Sequence, residues 1–356
     1  MHTLTAARIG RPLSVIGLGT WQLGADWGDV SEADALAVLT ASVESGVTVF
    51  DTADVYGDGR SESIIGNFLR SRPELDIFVA TKMGRRVDQT PEHFTLENFR
   101  AWTDRSRTNL GMDTLDLVQL HCPPSEVILS DRVFDDLDTL VADGAIARYG
   151  ISVETVEQAL AAIARPSVSS VQIIINAFRL KPLDEVLPAA LEAGVAIIAR
   201  VPLASGLLSG KYTKNTEFAA NDHRSFNRHG EAFDVGETFS GVDYDQGVAA
   251  ASEFASLAIE RGLTPPVAAL AWLAQLEGIT TVIPGARTVA QAQSNASAGL
   301  VEQLDDVFTR QVTALYDAYF REAVHARWWP LTARARRWDT KPDWRLSRAL
   351  PKPCRV

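Results

Sequence analysis

The chain predicts a single α/β domain folded as a closed (β/α)8 barrel of the TIM type. Three observations lead there. Eight short apolar runs alternate with longer amphipathic stretches along the 356 residues. The runs are near-continuous in Val, Ile and Leu, the pattern of strands buried on both faces of a parallel sheet. The order is always strand, then helix, and eight such units in one chain of this length close a barrel. An open doubly wound sheet uses fewer units and begins on a Gly-rich turn, GxGxxG, which "GLGTWQLG" is not.

Taken in order, "LTAARIGRPL" (4–13) precedes the first unit and reads as a short hairpin closing the barrel bottom. "LSVIGLG" (13–19) is the first strand, and "SEADALAVLTASVESG" (31–46) its helix. Ser31 is placed to cap the N-terminus of that helix and Gly46 to end it. "VTVFD" (47–51) leads to "SESIIGNFLR" (61–70), and "IFVATK" (77–82) to "LENFRAWTDRSRTNLG" (96–111). "LDLVQLH" (115–121) precedes "DRVFDDLDTLVADG" (131–144), and "IARYGIS" (146–152) precedes "VETVEQALAAIA" (153–164). "VSSVQIII" (168–175) is followed by "LDEVLPAALEAG" (183–194), and "VAIIAR" (195–200) and "TTVIPG" (280–285) complete the set. The seventh unit is swollen, with about 40 residues between its strand and the next helix. A loop that long inside a compact domain is usually functional.

Composition narrows the class. Hydrophobic residues make up 46%, ample for a core, and the net charge of −11 disfavours nucleic acid as a partner. Residues 326–356 carry a local balance of +7, leaving −18 for the rest. We therefore expect a barrel over 1–328 and a basic, Trp-rich tail over 329–356 that wraps its own acidic barrel. Two cysteines, Cys122 and Cys354, suit a reducing compartment. No apolar run reaches the roughly 18 residues of a membrane span, so a cytoplasmic protein without membrane partners is expected.

In such a barrel the site forms at the C-terminal ends of the strands. The second strand ends at Asp51, with Tyr56 on the loop beyond it; the third ends at Lys82 and the fourth at His121. Singly, these residues are most often a cap, a packed ring or a core histidine. Four on consecutive units point to chemistry. A phenol is a reluctant acid at neutral pH, and a nearby ammonium makes it a better one. Lys82 can supply that charge, with Asp51 as its ion-pair partner, while His121 hydrogen-bonds a substrate oxygen. The set suits protonation of an oxygen that turns negative as hydride reaches carbon.

The motifs that surround these residues resemble the aldo-keto reductase superfamily, and they stand in the family's order. They are "GLGTWQLG", "FDTADVYG" with "GRSESIIG", "VATKMG", "LVQLHCP", "YGISVE", "VQIIINAF", "PLASGLLSGKY" and "VIPGARTVAQAQSNASA", over residues 8–328. The resemblance implies reduction of aldehydes, ketones or sugars with NADPH, NADH being disfavoured, on a (β/α)8 fold. It places a catalytic tetrad on Asp51, Tyr56, Lys82 and His121, with Tyr56 as the acid–base. It implies nicotinamide contacts at Gly19, Thr20, Trp21, Asp51, Ser152 and Gln172, with Val153 where the family often has Asn. Arg200 stands where an aromatic commonly stacks under the ring. Pro202, Leu203, Gly206 and Lys211 would follow the pyrophosphate. Gly285, Ala286, Arg287, Gln291 and Asn295 would hold the adenosine end, Arg287 suiting a 2′-phosphate, with Ser294 where Glu is frequent. Trp21, Trp27, Phe50, Val55, Tyr56 and His121 are expected to line the substrate pocket. Two rival readings compete. One is a nicotinamide-bound regulatory or scaffold subunit, which can keep a full tetrad. The other is a lyase or isomerase barrel using Lys82 as a Schiff base.

Overall fold

The computed structural model describes residues 1–24, 30–220, 222–232 and 234–328; Trp27 and the tail over 329–356 lie outside the described residues. Eight strands form one parallel sheet: β3 (Leu18–Gly19), β4 (Val49–Asp51), β5 (Phe78–Met83), β6 (Leu117–His121), β7 (Tyr149–Ser152), β8 (Val168–Ile174), β9 (Ala196–Arg200) and β10 (Thr281–Val282). They pair strictly in chain order. Parallel bridges from Ile16 to Val282 and from Gly19 to Gly285 join the last strand to the first, which closes the barrel.

The helices surround this sheet. α1 (Glu32–Glu44), α2 (Arg60–Ser71) and α3 (Leu96–Leu110) follow the first three barrel strands. The one-turn α4 (Ser125–Ile128) and then α5 (Asp131–Ala142) follow β6, α6 (Val156–Ile163) follows β7, and α7 (Lys181–Ala193) follows β8. Capping follows the sequence: the Ser31 hydroxyl accepts from the Asp34 amide at 3.1 Å, and Gly46 takes a φ of +87° just past α1. Beyond β9 the described residues form short 3-10 turns and the four-residue α8 (His223–Phe226) before α9 (Tyr244–Ile259) and α10 (Pro265–Ala274). After β10 come α11 (Val289–Ser297), α12 (Asp306–Tyr319) and α13 (Arg321–Val324).

Alternation along each strand decides what faces the axis. Val49, Phe78, Ala80, Leu117, Ala196, Ile198 and Ile283 form the inner core. Phe50, Val79, Val118, Ile151, Val171 and Ile197 instead pack outward against the helices. Phe50 is therefore not a pocket residue: it is fully buried, with its ring 6.3 Å from that of Phe68. At the other end β1 (Thr3–Leu4) and β2 (Leu13–Ser14) form the expected hairpin, and its Ile9 and Leu13 join the inner core from below. No helix among the described residues is long and apolar enough to cross a membrane.

Candidate active site

The alternation that buries Val49, Ala80, Leu117 and Ile198 puts Asp51, Lys82, His121 and Arg200 on the same inward face, one step nearer the C-terminal rim, or two for His121. Register then aligns them. His121 lies opposite Ser152, and Ser152 opposite Gln172, in one row across β6, β7 and β8.

The carboxylate of Asp51 is the hub. Lys82 Nζ donates to its Oδ1 at 2.5 Å, and Gln172 Nε2 donates to its Oδ2 at 2.7 Å. Lys82 also donates to the Thr52 carbonyl at 2.9 Å and is only 1% exposed. Burial pulls the lysine below its ordinary pKa, and Asp51 opposes this. Lys82 Nζ stands 5.2 Å from the centre of the Tyr56 ring. The Tyr56 ring meets that of His121 edge-on at 6.0 Å and stacks on Trp21 at 5.9 Å.

The turn that carries Tyr56 is held from both sides. The Thr20 hydroxyl donates to the Asp51 carbonyl at 2.8 Å, and Ser61 at the start of α2 donates to the Thr20 hydroxyl at 2.8 Å. Gly57 (φ +59°) leaves no room for a side chain, since a Cβ there would lie 2.2 Å from the Gly24 carbonyl oxygen. This contact presses the Trp21 segment onto the Tyr56 turn.

Electrostatics refine the expected roles. The Tyr56 phenol is pushed well above its ordinary pKa by burial, then by the charges of Asp51 and Glu237, while Arg85 and Arg200 pull it down. His121 is held well below its ordinary range by burial and by Arg85, Lys82 and Arg200, so its imidazole is neutral. Its buried Nδ1 has no hydrogen-bond partner among the described residues.

The structure adds an ionic ring that the sequence reading missed. Arg85 pairs with Glu154 at 3.4 Å and with Glu237 at 3.2 Å, and Arg200 pairs with Glu237 at 3.3 Å. Arg200 also donates to the Val153 carbonyl at 3.2 Å and to Cys122 Sγ at 3.5 Å. Cys122 Sγ, Glu154 and Glu237 together have the composition of a metal site, their ligand atoms within 4.8 Å of one another. Two guanidiniums already occupy those carboxylates, which disfavours a cation there. Burial raises the Cys122 thiol, as suits a packed side chain rather than a reactive one. Arg85 lies three residues beyond Lys82 and Glu154 two beyond Ser152, so strand-end counting could have found both. Glu237 comes from the long loop and has no local signature.

That loop reaches Trp21 through His223, whose ring lies 5.6 Å away, and His223 Nδ1 is 3.0 Å from the Thr238 hydroxyl. Pro202 is buried, Leu203 half-buried and Lys211 exposed, while Gly206 takes a φ of +96° beside Tyr212. Val55 is half-buried. Across the rim, Ala286 is buried and Arg287 exposed, with its amide donating to Gln291 Oε1 at 2.8 Å. Asn295 Nδ2 donates to the Gly285 carbonyl at 3.1 Å, which ties the turn after β10 to α11.

Comparison with known proteins agrees with this architecture. Over 335 residues the chain is 28% identical to the aldo-keto reductase yakc of Schizosaccharomyces pombe, whose name carries NADP(+), covering 92% of this chain and 95% of that one. It is 30% identical to an uncharacterized oxidoreductase of Mycobacterium bovis over 309 residues, 85% of this chain and 89% of the relative. The solved glycerol dehydrogenase AKR11B4 of Gluconobacter oxydans superposes with a TM-score of 0.73 at 27% identity, covering 89% of this chain and 95% of its own. The model of the Aldo/keto reductase family matches residues 15–317, and with its eight-stranded barrel the chain belongs to that family.

Proposed function

We propose that this protein is an NADPH-dependent reductase that interconverts small aldehydes or ketones, sugars included, with their alcohols, using Tyr56 as the proton donor. The observation that carries the reading is the convergence, on one barrel mouth, of the Tyr56 phenol, the buried Lys82–Asp51 pair and a neutral His121. The donor set fits a nicotinamide. The site offers neutral hydrogen-bonding groups at Ser152 and Gln172, a His121 Nδ1 with no partner among the described residues, and an anion-compatible turn at Arg287 before α11. Bound nicotinamide would supply hydride to the carbonyl carbon. His121, uncharged, orients the carbonyl oxygen without competing for its proton. Tyr56 then delivers the proton as negative charge develops on that oxygen, and Lys82 stabilises the phenolate left behind. The names of the relatives, an NADP(+)-named reductase and a glycerol dehydrogenase, support a carbonyl–alcohol couple.

The test is an NADPH-oxidation screen across aldehydes, ketones and sugars, with NADH in parallel, on the parent and Tyr56→Phe. We expect turnover in the parent, loss of reduction in Tyr56→Phe, and nearly intact NADPH binding in both. Substantial turnover by Tyr56→Phe would remove the proton-donor assignment. A parent that binds NADPH and never turns over any of these substrates would replace the enzyme with a binding subunit.

A further inference from the structure

We propose that Arg200 makes this site discriminate between the two redox states of its cofactor, so that NADPH binds in preference to NADP+. The inference rests on the functional reading above, which places a nicotinamide at this mouth.

Arg200 ends β9 and points inward by the same alternation as Lys82 and His121. It is 9% exposed. Its Nη2 touches the Val153 carbonyl and Cys122 Sγ, the residues immediately after Ser152 and His121. The guanidinium therefore borders the strand ends where a carbonyl held by Tyr56 and His121 must meet a hydride donor. Its Nε is buried and has no hydrogen-bond partner among the described residues, an open donor on a fixed cation. Val153 contributes no polar side-chain group, and Arg200 is the charged side chain beside it.

A guanidinium stays charged throughout the working pH range. The oxidised nicotinamide ring carries a positive charge and the reduced ring carries none, while the rest of the cofactor is the same. A cation beside the ring therefore penalises only the oxidised form. Two unit charges about 6 Å apart in a partly buried site repel by enough to change affinity about a hundredfold. Glu237, 3.3 Å away, offsets part of this, but it is shared with Arg85 at 3.2 Å, and the ring's other carboxylate, Glu154, pairs with Arg85 at 3.4 Å. A net effect of roughly tenfold follows. A neutral side chain at this position would remove the share of the discrimination that Arg200 supplies.

The experiment measures Kd for NADPH by nicotinamide fluorescence and for NADP+ by tryptophan quenching, on the full chain and on Arg200→Met, Arg200→Lys and Glu237→Gln. Thermal melts confirm that each variant is folded. We expect the ratio Kd(NADP+)/Kd(NADPH) to fall roughly tenfold in Arg200→Met, to stay within about threefold of the parent in Arg200→Lys, and to rise in Glu237→Gln. Equal weakening of both forms in Arg200→Met, leaving the ratio unchanged, assigns the arginine to packing and overturns the proposal. If Arg200→Met does not fold, an unchanged ratio in Glu237→Gln overturns it instead. A parent that binds neither form fails the functional reading itself, a result visible before any variant is made.

Discussion

Lys82 and Asp51 act on Tyr56 with opposite signs. The ammonium, 5.2 Å from the ring centre, favours the phenolate, whereas the Asp51 carboxylate is among the charges that push the phenol up. The two substitutions are therefore expected to diverge. Lys82→Met should slow reduction by about 10²–10⁴-fold, the span of lost acid–base assistance. It should also move the rise of alcohol oxidation to higher pH, because oxidation needs the phenol ionised. Asp51→Asn removes an anion, so its oxidation profile should move to lower pH. Initial rates in both directions against pH check this; an unmoved profile in an active Lys82→Met enzyme would remove Lys82 from the tuning. A reducible covalent adduct on Lys82 would revive the Schiff-base alternative. Asp51, Lys82 and His121 were legible in the sequence because each ends an apolar run, where strand parity alone sets the direction of the side chain, whereas Ser152 and Gln172 were reached only through the family resemblance. Arg85 and Glu154 lie just past strand ends, where counting could have found them, but Glu237 was not legible, because its pairing with Arg85 joins segments distant in sequence.

The segment between β9 and α9 shows the same limit at the scale of an element. Its length marked it as functional, yet its path has no period to read. Val201, Ala204, Ser205, Gly206, Phe239 and Ser240 all take positive φ, and a β-branched residue such as Val201 rarely does. Tertiary bonds hold these bends. Asn176 Nδ2 donates to the Val201 carbonyl at 2.9 Å and to the Ser240 hydroxyl at 2.7 Å, and the Ser205 hydroxyl donates to the Glu237 carbonyl at 3.0 Å. α11 starts more simply, from Thr288, which caps it by accepting from the Gln291 amide at 3.2 Å. Arg287 precedes that cap and is exposed at a positive helix end. Arg287→Ala should weaken NADPH by roughly ten- to a hundredfold through the lost charge-assisted bond, and NADH much less. Fluorescence titration of both cofactors decides it, and equal weakening would free Arg287 of the phosphate-reading role.

For the whole molecule, the (β/α)8 closure was legible from eight apolar runs, and the mouth's chemistry makes one demand on stability. Asp54, fully buried in the Tyr56 turn, has its pKa raised to about 7 by burial and then by Glu62, with Arg86 and Arg105 opposing. The folded state thus holds this proton more tightly than the unfolded chain. The stability it contributes is complete below about pH 4 and is lost as pH rises through about 7. Asp54→Asn should remove that loss, so its stability relative to the parent should grow by on the order of 2 kcal/mol between pH 5 and pH 8. Denaturant melts at the two pH values measure it; an unchanged difference would mean that Asp54 does not titrate in this range. The opposite end of the barrel has a quieter consequence. Ile9 and Leu13 seal the floor, and the apolar layer of Phe78, Leu117, Ile198 and Ile283 lies above them, beneath Lys82 and Asp51. On the proposed reading, a proton returning to Tyr56 would therefore have one way in, from the rim beside Trp21 and His223.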